Sequence, residues 1–221
     1  MELDTLLFIF KKHSKKIAVA VLFTILILFL SIFRDYGITF DEDLHQMMGQ
    51  DVLVWYLSGF NYNKAIDISS NWGYYPSLYY ALCMGIINIS NILGGPFDFD
   101  IFHFFHTLVG FLGIVYVYKL GRLFGGLWCG MLSVITLLLT PRYFGAIFNN
   151  PKDTPFAAFY IISVYYVIKN YLILPKLSKP LLLYLGLAVG FALGVRQAGI
   201  IIFPLMGLAI VLWGINYGIK K

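Results

Sequence analysis

The sequence predicts an all-α polytopic membrane protein with about six transmembrane helices and an external juxtamembrane or re-entrant helical region after the first. Three observations predict it. Of 221 residues, 60% are hydrophobic and only 12% charged, and the mean hydropathy is +0.80; a soluble domain needs far more polar surface. Apolar runs near the length of a membrane span recur along the chain. Basic residues gather between some of these runs and acidic residues between others.

The first run covers residues 16–33. Lys11, Lys12, Lys15 and Lys16 surround its start, as in a signal peptide. Its apolar core is too long for one, and no small-residue cleavage site follows, so an uncleaved first span is expected. Further apolar runs occupy 76–93, 101–118, 127–141, 155–168, 181–195 and 200–215. Lys119 and Arg122, then Lys169, Lys176 and Lys179, then Lys220 and Lys221 mark cytoplasmic loops, together with the N-terminus. That assignment fails by one crossing if 76–93 spans the bilayer. The repair is that 76–93 lies in the outer interface or dips in and returns. Its surroundings fit: Trp72, Tyr74, Tyr75, Tyr79 and Tyr80 are interfacial aromatics, and Asn88, Asn91 and Gly94–Gly95 interrupt the run. One membrane module over 1–221 is expected, with both termini cytoplasmic. Residues 34–100 form its first external loop with juxtamembrane helices, and 142–154 its second. The short cytoplasmic loop 174–180 carries prolines that end one helix and start the next.

Other features narrow the class. The net charge of +5 says nothing of nucleic acid, because in a membrane protein the location of positive charge outweighs its sum. Cys83 and Cys129 have no metal-ligand spacing and read as buried thiols. Asp100, His103 and His106 share a helix face, which leaves a divalent metal open, although metal-free interfacial histidines are the simpler reading.

Four polar features fall on the expected external side. The first is TFDEDLHQ (39–46). Thr39 with Glu42 three residues on matches a capping box, so the carboxylates read equally as a solvated helix start. They also read as chemistry: a carboxylate at a low-dielectric boundary is disfavoured in its ionised form and becomes a useful base. Asp41 and Glu42, being adjacent, face different ways and would divide such work. The second feature is Arg142, followed by NNPKDTP (149–155), where prolines fix the loop and Asp153 or Thr154 is placed to cap a helix. Lys152 and Arg142 stand there against the charge rule, which suggests an anionic partner. The third is Arg196, between Gly194 and Gly199 and flanked by apolar helix. A cation near membrane depth is costly, and its fork of donors matches a phosphate; pairing with a carboxylate or snorkelling are the structural alternatives. The fourth is the aromatic stretch NWGYYP (71–76).

Taken in order, these motifs resemble the N-terminal membrane module of GT-C glycosyltransferases. The likeness is to the lipid-carrier-dependent protein O-mannosyltransferase and aminoarabinose transferase type (glycosyltransferase family 39-like). The motifs that carry it are Asp41-Glu42 after GITF, YYPSLYY (74–80), LGRLFGG (120–126), Pro141-Arg142 with NNPKD, and the segment 186–199 ending in Gly194-Val195-Arg196. Typical members continue with more spans and often a soluble external domain, so an incomplete module is expected.

The resemblance implies inverting transfer of a sugar from a polyprenyl-phosphate donor to an acceptor hydroxyl at the external membrane face; the lack of a eukaryotic-style soluble insert points to a bacterial inner membrane. Asp41 would be the general base, with Glu42 orienting the acceptor or a cation. Arg196, Lys152 and Arg142 would meet phosphate. Asp153, His45 and Tyr75 would bind substrate. The expected partners are the lipid-linked sugar, a lipid, glycan or protein acceptor, and membrane lipids, with no nucleic acid and no certain cofactor. The alternatives are an inactive GT-C fragment serving as an assembly partner and, less favoured, a small-solute transporter. Transport would distribute charge along a pathway through the bilayer, whereas here it gathers at one face.

Overall fold

A computed structural model describes residues 3–62 and 75–219, with side chains from Lys15 onward. Its helices are α1 (Leu3–Ile32), α2 (Glu42–Leu57), α3 (Leu78–Ile92), α4 (Asp98–Leu138), α5 (Pro141–Ala146), α6 (Asp153–Ile173), α7 (Lys179–Val195) and α8 (Ile202–Ile219). Short 3-10 turns at Phe33–Asp35 and Gln197–Ile201 follow α1 and α7. No strand occurs among the described residues. Four segments are long and apolar enough to cross a membrane: Lys15–Asp35, Asp98–Leu138, Asp153–Ile173 and Gln197–Gly218. α3 and α7 are shorter apolar helices. The chain is a helical integral membrane protein.

α4 is two helices in one. Its geometry breaks at Gly125 (φ −140°, ψ 21°) and Gly126 (φ 72°, ψ −159°). Only glycine adopts the second conformation without strain. The two arms then fold back on each other. A Cβ on Gly121 would lie 2.9 Å from the Cys129 carbonyl oxygen, and one on Gly130 would lie 2.9 Å from that of Tyr118. The motif LGRLFGG is therefore a tight hairpin. Proline opens α5 and stands in the first turn of α7, where its missing N–H costs nothing.

The remaining contacts orient the bundle. The first arm of α4 runs parallel to α6: Gly110 faces Thr154, Gly113 faces Ala158, and the Tyr116 and Tyr166 hydroxyls lie 2.9 Å apart. α7 returns antiparallel to α6, with Phe191 stacked 4.9 Å from Phe159 and the Asn170 amide 3.4 Å from the Leu181 carbonyl. α8 lies alongside α6, where Asn216 donates to the Tyr171 hydroxyl at 3.2 Å. α1 brings Phe29 edge-on to Phe144 and Phe148, and Arg34 to Asp100 at 3.3 Å.

One end of the bundle thus collects the segment after α1, the starts of α4 and α6, all of α5 and the α7–α8 junction. The other end holds Lys119, Arg122, Lys169, Lys176 and Lys179. α2 and α3 pack together at the first end. A Cβ on Gly49 would lie 2.6 Å from the Tyr80 carbonyl, so α2 meets α3 backbone to backbone. Asn88 donates to Gln50 at 2.9 Å. α3 in turn meets the first turns of α4, Tyr79 reaching His106 and Ile87 clustering with Ile101 and Phe102.

Candidate active site

The segment before α2 is built around Glu42, which is 0% exposed. Its Oε1 accepts the Thr39 N–H and the Thr39 hydroxyl, each at 2.8 Å. Its Oε2 accepts His103 Nε2–H at 2.7 Å, and His103 is itself only 3% exposed. A buried carboxylate needs such partners. Half of the capping box forms: Glu42 reaches back to the Thr39 N–H. The other half does not, because the helix begins later, with Asp41 at the N-cap. The Thr39 hydroxyl turns instead toward Glu42 and the Asn149 carbonyl, the latter at 3.1 Å.

Asp41 has a different fate from its neighbour. Its carboxylate makes no capping bond to α2. Its nearest donor is the Thr39 hydroxyl at 3.2 Å, which lies closer to Glu42. The Asp41 carbonyl accepts His45 Nδ1–H at 2.5 Å, leaving Nε2 as the basic nitrogen of that ring. His45 packs edge-on against Tyr80, with centroids 4.6 Å apart. Burial pushes the His45 pKa below its ordinary value, partly offset by the Asp41 carbonyl and carboxylate.

The second loop divides its work residue by residue. The Asn149 amide donates to the Gly37 carbonyl at 2.9 Å, so the two loops are tied in both directions. The Asn150 side chain accepts the backbone N–H of Lys152 at 3.1 Å and of Asp153 at 2.7 Å, so it covers the free N–H groups at the start of α6 although Lys152 holds the N-cap position. Asp153 and Thr154 were the expected caps. With Asn150 in that role, Thr154 is buried and donates to the Ala146 carbonyl at 2.8 Å. Asp153 forms an ion pair with Arg196.

Arg196 owes its position to the end of α7. The helix stops at Val195, and Arg196 takes an extended conformation (φ −145°, ψ 139°) before the 3-10 turn. A Cβ on Gly194 would lie 2.7 Å from Leu78, and one on Gly199 2.8 Å from the Leu193 amide, so both flanking glycines permit close packing. The Arg196 guanidinium also lies 5.8 Å from the Phe156 ring.

These groups share one neighbourhood. His45 lies within electrostatic reach of Asp41, Lys152 and Asp153. Tyr80 lies within reach of Asp41, Arg196 and Asp153; burial raises its pKa, the two carboxylates add to the rise and Arg196 opposes it. The Lys152 ammonium stands 5.9 Å from the ring of Tyr75, which is exposed. Arg142 is exposed at the start of α5, and no ion pair joins it to this cluster among the described residues. Trp72 and Tyr74 lie outside the described residues. Tyr80, Thr39, Asn149 and His103 also contact this cluster; the sequence offered His103 only as a candidate metal ligand and did not single out the other three as site residues.

The histidines of α4 are spent on protein partners. His103 binds Glu42, and His106 Nδ1 meets the Tyr79 hydroxyl at 2.6 Å. Asp100 faces Arg34. Among the described residues, no group of three His, Cys, Asp or Glu side chains is placed to hold a metal ion.

The arrangement joins a partly exposed carboxylate, a neutral-leaning imidazole and two cations beside apolar helices, which suits proton removal next to an anionic leaving group. No curated protein and no solved structure matches the chain. The profile of dolichyl-phosphate-mannose-protein mannosyltransferases matches residues 86–217, from the second half of α3 to the end of α8, and so includes Asp153 and Arg196 but not Asp41. That match covers more than half of the sequence, and the chain belongs to this family of GT-C glycosyltransferases.

Proposed function

We propose that the chain moves a sugar from a polyprenyl-phosphate donor to an acceptor hydroxyl at the non-cytoplasmic face, with inversion at the anomeric carbon. Asp41 takes the proton of the acceptor hydroxyl. The acceptor oxygen attacks the anomeric carbon as the bond to the phosphate oxygen breaks. The lipid phosphate leaves with the electron pair, stabilised by Arg196, with Lys152 as a second cation. Arg196 exchanges Asp153 for the phosphate when donor arrives. His45 and Tyr75 line the substrate side, and Arg142 meets acceptor or lipid headgroup at the rim.

The observation that carries this reading is the convergence of Asp41 with the Arg196–Asp153 pair around Tyr80 and His45. The contrast between Asp41 and Glu42 supports it: one carboxylate is consumed by structure, the other is left for chemistry. In this reading α1, the two arms of α4, α6, α7 and α8 cross the membrane, while α2 and α3 stay at the outer face. Packing of α3 against the first half of the leading arm of α4 supports that, and so does the collection of lysines at the opposite end. Both termini are then cytoplasmic.

The test is transfer of radiolabelled mannose from a polyprenyl-phosphate mannose by the purified chain to a lipid, glycan or protein acceptor. Turnover that Asp41→Asn removes, with membrane insertion retained, is the expected result. Normal turnover in that variant removes Asp41 from the mechanism. No turnover by the unmodified chain favours a membrane assembly role instead.

A further inference from the structure

We infer that His103 is a positioning residue for Asp41, acting through Glu42. This rests on the reading of Asp41 as the base, but its geometry is independent of the sugar or acceptor. Asp41 occupies the N-cap of α2 without a capping bond from its own side chain. Something else must fix the turn that carries it. That turn is held by Glu42, which binds the Thr39 N–H and hydroxyl with one oxygen and His103 with the other. His103 is the only one of these partners outside the turn, 61 residues away on the first arm of α4. It therefore anchors the turn to the bundle.

The same anchor reaches the second half of the site. The Thr39 hydroxyl lies 3.1 Å from the Asn149 carbonyl, and the Asn149 amide returns to Gly37 at 2.9 Å. One residue further, Asn150 caps the helix that begins with Asp153. A continuous run of hydrogen bonds thus links His103, Glu42, Thr39 and the 149–153 loop. Cutting it at His103 frees Asp41 to move relative to Arg196 while leaving both side chains intact. The loss of one fixed donor also strands the fully buried Glu42 carboxylate, so the turn relaxes toward water.

Two variants separate positioning from bulk folding. His103→Leu keeps the volume and removes the donor. His103→Gln restores an N–H near the place of Nε2. Misplacement of a reacting group by about 1 Å costs up to ~100-fold in rate. With polyprenyl-phosphate mannose as donor, His103→Leu is expected to lower kcat by at least about tenfold while KM for the donor holds, and His103→Gln to recover most of the loss. An equal loss in the two variants, or a donor KM that carries the whole effect, overturns the inference.

A second measurement needs no turnover. Spin labels at Phe40→Cys and Gly145→Cys, both exposed positions, report the distance from the turn before α2 to α5, which leads into the 149–153 loop. His103→Leu is expected to broaden that distribution and His103→Gln to keep it narrow. An unchanged distribution in His103→Leu overturns the inference. If the unmodified chain transfers no mannose, the proposed function fails, and the label distances still decide whether His103 positions the turn.

Discussion

The loop before α2 and the loop before α6 solve the same problem with opposite parts. In the first, the carboxylate of Glu42 is buried to hold the turn and its neighbour Asp41 is left partly open. In the second, the amide of Asn150 caps the helix and the carboxylate of Asp153 is left to meet Arg196. Each loop uses one polar residue as scaffold and presents a nearby one. A charged cluster in a membrane protein is therefore not one feature. Burial and hydrogen bonding sort its members, and side chains one residue apart end in different environments.

The comparison breaks most visibly at Asp41. Asp41→Asn is expected to lower mannose transfer by about 1,000-fold, the size of a lost general base, without moving the melting temperature in detergent. Glu42→Leu is expected to act on the fold instead. Leaving the His103 and Thr39 donors without their acceptor should destabilise the chain by about 3 kcal/mol, read as a lower melting temperature. If the two variants gave the same profile, the division of labour between the neighbours would be wrong.

For the partner of the second loop, Arg196→Ala would, in the proposed reading, take a cation from the leaving group and is expected to cost on the order of 100-fold in transfer. Asp153→Asn, which frees the same cation, is expected to change donor binding more than stability, because a pair this exposed contributes little to folding. Asn150→Ala is the milder scaffold lesion: loss of a helix cap costs about 1 kcal/mol, seen in thermal melts with transfer largely kept.

The smallest effect is a pH dependence at His45, which faces Asp41, Lys152 and Asp153. Its pKa is lower in the folded chain than in the unfolded one, mainly through burial. Below the ordinary histidine value of about 6.5 the unfolded state binds more protons, so the His45 contribution is present above that pH and shrinks as pH falls toward the folded value. Melting temperatures from pH 7.5 to pH 5.5 should fall more steeply in the unmodified chain than in His45→Gln.

Much of the architecture is legible in the residue pattern because hydropathy and charge placement act locally. Lys119 and Arg122 mark a break between two apolar runs, and the chain reverses just beyond them, at Gly125 and Gly126. The stop of α7 just before Arg196 follows from the run ending at residue 195. What the pattern does not carry is pairing at a distance. Glu42 meets His103 across 61 residues, and Thr39 meets Asn149 across 110. No spacing rule links such partners. His103 read as an interfacial histidine because its environment is supplied by a different helix. Thr39 read as a cap because only the start of α2, two residues later than the motif suggests, redirects its hydroxyl.

The hairpin at Gly125–Gly126 has a consequence for biogenesis. Its arms touch backbone to backbone on either side of the turn, through Gly121 and Gly130, with no intervening loop to fold. Contacts this close in sequence need little loop closure and are expected to form early. If both arms cross the bilayer as proposed, they are expected to enter it as one unit, ahead of α6, α7 and α8. A bulky residue at Gly130 would then be felt first as a failure of insertion, before any loss of catalysis.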